Sequence, residues 1–114
     1  MRSKSEVIIA DTLNRLNVPY RYEYPLTLKG GGRHDHIIVY PDFLCLNLRT
    51  RSEFIWEHLG MMDNPEYAEN AVLKLQDYSK NNFLPGKNLI ITMETASLPL
   101  NLHNIEIQIK TYLT

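Results

Sequence analysis

A lone cysteine, Cys45, is all the thiol chemistry in this chain of 114 residues. No disulfide framework can form within it, so the chain does not read as a small secreted scaffold. A reducing, cytoplasmic setting is the expectation. Long apolar runs are missing too: none approaches the roughly eighteen residues of a membrane span. The N-terminus reads as the start of a helix rather than as a signal peptide, and no membrane partner is expected. An excess of either charge is also absent. Lys and Arg number 12 against 13 Asp and Glu, for a net charge of -1. That excludes nucleic-acid binding by bulk electrostatics alone. It leaves room for a local basic rim, or for a site where metal ions neutralise acids. There is no internal repeat, low-complexity tract or linker, so residues 1–114 read as one domain. A complete small protein and a domain cut from a longer one are both compatible with the sequence. Phosphate-binding loops of the Walker type, Rossmann glycine patterns and Gly-x-Ser-x-Gly elbows are likewise missing.

What is present is enough apolar residue, 44%, for one real core. Ser3-Lys4-Ser5-Glu6 has the form of a capping box. Ile8, Ile9, Leu13 and Leu16 follow at roughly helical spacing, which predicts a first helix from about Lys4 to Leu16. Asn17-Val18-Pro19 ends it. Tyr20 to Leu28 reads as a strand with Tyr20, Tyr22 and Tyr24 on one face. Gly30-Gly31-Gly32 makes a flexible turn. Ile37 to Leu48 reads as a long strand interrupted near Pro41. A hairpin turn at Arg49-Thr50 leads to a third strand, Phe54 to Leu59. Asp63 or Asn64 caps a second helix with Pro65 in its first turn, running to about Asn82. Leu89 to Met93 is a short buried strand. The last segment alternates like a strand at Ile105, Ile107 and Ile109, yet Leu102, Ile105, Ile109 and Leu113 fit a helix. A helix begun by Asn101 is the reading adopted. The order is then αβββαβα, an α/β domain with a mixed sheet covered by helices.

Two carboxylates stand out. Asp42 is followed by Phe43, Leu44, Cys45 and Leu46; Glu57 lies among Phe54, Ile55, Trp56 and Leu59. Acids are rarely placed in such runs unless a partner holds their charge. With a turn near Arg49-Thr50, Asp42 and Glu57 fall almost opposite each other on adjacent strands, about 4.5–5.5 Å apart at Cβ. Two like charges at that range repel, and a divalent cation, Mg²⁺ or Mn²⁺, removes the conflict. The plain alternative pairs these acids with Arg49 or Arg51 at a strand edge.

The chain resembles the PD-(D/E)XK nuclease superfamily, which includes restriction endonucleases and Holliday junction resolvases. The residues that carry the likeness are Ser3-Lys4-Ser5-Glu6, Tyr22-Glu23, Pro41-Asp42-Phe43, Trp56-Glu57-His58-Leu59-Gly60-Met61, Lys74 with Tyr78, and Leu89 to Thr92. The closest likeness is to a group of bacterial nuclease-like domains with Pro-Asp-Phe and Trp-Glu-His-Leu-Gly motifs. The resemblance implies a restriction-endonuclease-like αβββαβ core, with a further helix, over nearly the whole chain. It also implies Mg²⁺- or Mn²⁺-dependent phosphodiester hydrolysis of nucleic acid, DNA being the expected form. Asp42 and Glu57 are then the catalytic metal ligands, and Glu6 on the first helix is an auxiliary acid and further ligand. The lysine expected two residues after Glu57 is replaced by Leu59. The resembling group supplies the cation from the next helix, where Lys74 stands.

The helical pattern permits that role. Tyr67, Ala71, Lys74 and Tyr78 share one stripe. A competing stripe of Asn70, Lys74, Asp77 and Asn81 would leave Lys74 solvated beside Asp77. Glu6 is equally well used by the capping box alone. His58 points away from Glu57's face, as strand alternation requires, and reads as a packed or supporting residue. Tyr78 either bonds a phosphate or water, or is a core-edge aromatic. Glu23 either orients Lys74 or is plain surface. His34-Asp35-His36 reads as a polar loop rather than a zinc site. Lys4, Lys29, Arg33, Arg49 and Arg51 are candidate backbone contacts. The rival reading is a degenerate nuclease-like module that binds nucleic acid or another domain of a longer parent chain. A third is a structural or oligomerisation domain.

Overall fold

The computed structural model describes residues 3–30 and 36–114. Helix α1, Lys4–Arg15, opens with the capping box: Ser3 Oγ accepts from the Glu6 amide, and the Glu6 side chain accepts from the Ser3 amide. Strand β1 is Tyr20–Tyr22, and β2, Leu26–Lys29, follows as a separate strand. Strand β3, His36–Val39, pairs antiparallel with β2. Strand β4 is Phe43–Leu46 and β5 is Glu53–Leu59. Helix α2, Pro65–Lys80, starts from Asn64, whose side chain accepts from the Tyr67 amide. Strand β6 is Leu89–Met93, and helix α3, Leu102–Tyr112, is capped by Asn101.

The main sheet has the order β1-β4-β5-β6. Its first three strands are antiparallel neighbours, and β6 runs parallel to β5. The protein is thus α/β, with a mixed sheet flanked by three helices. The hairpin β2–β3 is inserted between the first two strands of that sheet and forms a second, two-stranded sheet of its own.

This corrects two expectations. Tyr20 to Leu28 is not one strand: Glu23 takes a left-handed backbone, φ 50°, and Pro25 follows, so the chain turns away after Tyr22. Tyr24 therefore leaves the face of Tyr20 and Tyr22 and is exposed, its ring under the Arg21 guanidinium at 5.4 Å. Nor is Ile37 to Leu48 one interrupted strand. Its halves, either side of Tyr40-Pro41-Asp42, belong to different sheets. The triple-glycine turn lies largely outside the described residues, as do Arg33, His34 and Asp35.

Each face of the main sheet has its own core. Trp56, Phe43, Phe54 and Ile90 pack with Ile9 and Leu13 of α1 and Ile105 and Ile109 of α3. Phe43 meets Tyr20, Tyr22 and Trp56 edge-on. On the other face Ile55 and Leu89 pack with Tyr78 of α2 and Leu28 of β2. Strand β5 lies inside the sheet between these cores, and Phe54 through Leu59 are all buried. A strand covered on both faces has no polar side, so a charge on it must find a partner inside. The last helix follows the 3.6 period: Ile105 and Ile109 are buried while Ile107 is 46% exposed.

Asn47 sets the turn between β4 and β5. Its Oδ1 accepts from the amides of Arg49 and Thr50, and its Nδ2 donates to the Tyr112 carbonyl. Arg51 completes the turn with φ 64°. The turn fixes the register Phe43↔Trp56 and Cys45↔Phe54. One step further along the same register, Asp42 stands opposite Glu57.

Candidate functional site

Glu57 is 2% exposed. Its Oε1 accepts from the Tyr78 hydroxyl at 2.6 Å and pairs with Lys74 Nζ at 2.9 Å. Both partners come from α2, four residues apart, so one helical stripe delivers them together. Tyr67 and Ala71 continue that stripe toward the helix start, Ala71 buried and Tyr67 Oη accepting from the Gly60 amide. The small Ala71 side chain leaves space above the strand ends. Lys74, its side chain 34% exposed, keeps part of its stem in that opening. The competing stripe is set aside: Lys74 pairs with Glu57, not with Asp77.

Asp42 reaches the same opening from the start of β4. Its Oδ2 accepts from the His58 amide at 2.8 Å. Burial pushes its carboxyl up to about 7, and the facing Glu57 charge adds to the push; the His58 amide opposes it. Burial and then the Glu57 charge also hold the Tyr78 phenol well above its ordinary value, so Tyr78 stays a proton donor to Glu57. Glu6 approaches from α1, where its Oε2 also accepts from the Tyr22 hydroxyl at 2.8 Å. Asp42, Glu57, Glu6, Tyr67, Asn70 and Lys74 line one cleft of about 210 Å³. A second, wider cleft adjoins it and shares Glu6, His58 and Tyr67. The hollow over β1 and β4 has a mainly apolar lining and brings no such polar groups together.

His58 faces the other side of β5, as alternation predicts. Its Nδ1 lies 2.8 Å from Thr92 Oγ1 and its Nε2 lies 2.7 Å from Glu94 Oε1. Thr92 Oγ1 also accepts from the Trp56 indole at 3.0 Å. An indole N–H only donates and an ionised carboxylate only accepts, so Thr92 Oγ1 accepts from Trp56 and the proton of the His58–Glu94 bond lies on Nε2. With both ring nitrogens engaged, His58 supports the cleft and does not open a ligand nitrogen into it.

The remaining sequence candidates are dispersed. Lys4 is exposed on α1 and lines the wider cleft. Lys29 ends β2, its backbone held on both sides by the Asn81 side chain. Arg49 and Arg51 sit in the β4–β5 turn, at the opposite end of those strands from Asp42 and Glu57. Four strand steps of β5 take Glu53 to Glu57, about 13 Å at strand rise, so neither arginine belongs to the cleft or pairs with its acids. Glu23 is exposed, and its amide donates to the Asp42 carbonyl at 3.3 Å. Arg33, His34 and Asp35 lie outside the described residues. Sequence reasoning missed Ser5, Thr92 and Glu94. Thr92 fell within a motif without a role, and Glu94 ends no periodic pattern that would have marked it.

Fold and cleft together define an α/β domain with a two-carboxylate cleft, Glu57 buried and Asp42 half-buried, served by a lysine and a tyrosine from the following helix. The chain matches no protein-family model. It is similar, at 30% identity over 106 residues, to an uncharacterized protein of Methanocaldococcus jannaschii. The match covers 81% of this chain and 8% of that protein, so the chain spans a small part of its relative's length. No helix among the described residues is long and apolar enough to cross a membrane.

Proposed function

We propose that the cleft is a PD-(D/E)XK-type site for metal-dependent hydrolysis of phosphodiester bonds in nucleic acid, with DNA as substrate. The observation that carries the reading is the Asp42–Glu57 pair. The two acids face each other, Glu57 buried on β5 and Asp42 half-buried just ahead of β4, at the floor of an open cleft. An order of one helix, three antiparallel strands, a helix and a parallel strand in the main sheet supports the same reading.

The donor set fits a hard divalent cation. Among the described residues no three histidine, cysteine or carboxylate side chains gather into a metal cage. Mg²⁺ needs no such cage: it keeps several waters and takes one or two carboxylates plus substrate phosphate. Asp42 and Glu57 would hold it; burial first, and the facing Glu57 charge second, push the Asp42 carboxyl up, and a cation would offset both. Glu6, at the rim, would act as an auxiliary ligand. When bound, Mg²⁺ or Mn²⁺ supplies polarisation of a phosphoryl oxygen and an acidified water.

The chain's own residues do the rest. Tyr78 fixes Glu57 by donating to Oε1, leaving Oε2 outside that bond. Lys74 holds a cationic donor beside the same carboxylate, placed to meet charge that develops on phosphate oxygens. Leu59, buried two residues on from Glu57, provides apolar wall where the superfamily's usual lysine would stand. Cys45, buried and unpaired with its thiol pushed up to about 12, suits a reducing, cytoplasmic setting.

One observation favours the rival reading, a non-catalytic module that binds nucleic acid or a partner domain. Lys74 already neutralises Glu57, and Glu6 is engaged by Ser3 and Tyr22. Calorimetric titration of Mn²⁺ into wild type and the Asp42→Asn/Glu57→Gln double variant separates the two, followed by assay on mixed DNA substrates. Binding and cleavage by wild type, both lost in the variant, are expected. A folded wild type that binds no Mn²⁺, with or without DNA, would select the module.

Glu6→Gln keeps the side chain's length and its acceptor oxygen for Tyr22. Its effect on Mn²⁺ affinity is expected to stay within about threefold, against tenfold or more for either strand acid, roughly the scale on which metal-site partners act. An equal loss in the same titration would make Glu6 a primary ligand.

A further inference from the structure

Glu94 follows directly on β6 and ties three separate parts of the chain together. Its Oε1 accepts from His58 Nε2 of β5 and from the Ser5 hydroxyl of α1. Its Oε2 accepts from the Leu100 amide at 3.1 Å, ahead of α3. The side chain is 16% exposed. Burial pushes such a carboxyl up, but the bonds from Ser5, His58 and Leu100 outweigh it and hold Glu94 below its ordinary value. A carboxylate satisfied from three elements is a rigid junction rather than a surface charge.

Two arms of that junction end on cleft acids. Along the first, Glu94 and Thr92 grip both nitrogens of the His58 ring, and the amide of that same residue donates to Asp42 Oδ2. Along the second, Glu94 holds Ser5, whose neighbour in α1 is Glu6. The side chain thus reaches acids presented by two different elements, Asp42 ahead of β4 and Glu6 on α1.

We propose that Glu94 is a positioning residue for the carboxylate cleft, setting Asp42 through His58 and Glu6 through Ser5. The proposal rests on the metal-site reading for its consequence, but the positioning itself needs no metal. Partners one bond removed from metal ligands typically govern affinity or activity by about 10–100-fold. Glu94 acts through one further residue, so the low end of that range is expected.

The test compares wild type, Glu94→Ala, Glu94→Gln and Ser5→Ala. Amide hydrogen exchange is read residue by residue without metal, and Mn²⁺ affinity by calorimetry. In Glu94→Ala the His58 amide should exchange at least about tenfold faster while the Ile55 and Ile90 amides keep their rates, and Mn²⁺ affinity should fall about tenfold. Glu94→Gln retains an acceptor oxygen for His58 and should restore both readouts to within about threefold. Ser5→Ala should leave the His58 amide as it is and loosen only the first turn of α1. Uniform acceleration of all three amides in both Glu94 variants would reduce Glu94 to a general structural role and overturn the proposal. An unchanged His58 amide in Glu94→Ala would overturn it as well. A wild type without Mn²⁺ affinity would sink the metal reading alone, since the His58 amide still decides whether Glu94 positions Asp42.

Discussion

Asp42→Asn should make the metal-free protein more stable at pH 8 and at the same time remove its response to Mn²⁺. A carboxyl displaced from 3.8 to about 7 is disfavoured in its ionised form. Taken whole, that displacement is worth at most about 4 kcal/mol, and partial exposure to cleft water brings it to about 1–2 kcal/mol. The sign follows from proton counting. Between about pH 4 and 7 the folded chain holds a proton that the unfolded chain has released, so wild-type stability falls as pH rises through that window and levels off above it. Asparagine carries no charge to bury. Its oxygen still accepts from the His58 amide, and its NH₂ can donate across to Glu57. The variant should therefore match wild type near pH 4 and melt about 5 °C higher at pH 8. Mn²⁺ should raise the wild-type melting temperature there by mass action, with affinity growing as pH rises through about 7, and leave the variant unmoved. Scanning calorimetry across pH, with and without Mn²⁺, checks both halves. A variant less stable than wild type at pH 8 would mean that the ionised Asp42 carboxylate carries no net penalty in the fold; unchanged Mn²⁺ affinity would remove Asp42 from the site.

Much of this cleft could be read from local pattern. Residues 3–6 carry their capping box in four consecutive letters. Pro65, with Asn64 before it, places the start of α2, and a start plus a 3.6 period puts Tyr67, Ala71, Lys74 and Tyr78 on one stripe. A short turn at residues 47–52 fixes the register of β4 on β5, and with it the facing of Asp42 and Glu57. Where the reading failed, either the local pattern carried no marker or the deciding contact lay far away in sequence. The turn away after Tyr22 depends on a left-handed Glu23, a residue type that announces nothing of the kind, and the inserted hairpin closes on itself rather than extending the main sheet. Arg49 and Arg51, candidates for backbone contact or for pairing with the acids, are carried to the far end by the direction of the strands. Glu94 meets Ser5 across 89 positions and His58 across 36. No spacing rule joins partners so far apart, and only the parallel pairing of β6 with β5, beneath α1, brings them together.

Lys74→Ala should separate binding from chemistry by moving them in opposite directions. The Lys74 ammonium now lies on Glu57 Oε1 at 2.9 Å, the same carboxylate that would hold the cation. Removing it leaves Asp42 and Glu57 facing each other with one positive charge fewer, so the pull on a divalent cation grows and Mn²⁺ affinity should rise several-fold, on the order of 1 kcal/mol for a partly exposed pair. Cleavage should nevertheless fall by about 10²–10³, the usual loss when a donor aimed at developing charge is deleted. Stability of the metal-free variant should drop, because Glu57 keeps Tyr78 but loses its counter-ion inside the protein. Added Mn²⁺ should restore more of that stability than in wild type. Lys74→Arg keeps the charge yet brings a planar fork in place of a compact ammonium, so it should recover stability better than rate. These signs distinguish the two readings of the cleft. In a catalytic site the lysine and the metal share Glu57, and losing the lysine tightens metal while slowing the reaction. In a module without catalysis Lys74 is itself the permanent counter-ion, and Lys74→Ala should cost stability that Mn²⁺ does not return. Mn²⁺ titration, thermal melts and cleavage assays on the same preparations give all three signs, and tighter metal with an unchanged rate would leave Lys74 a structural cation only.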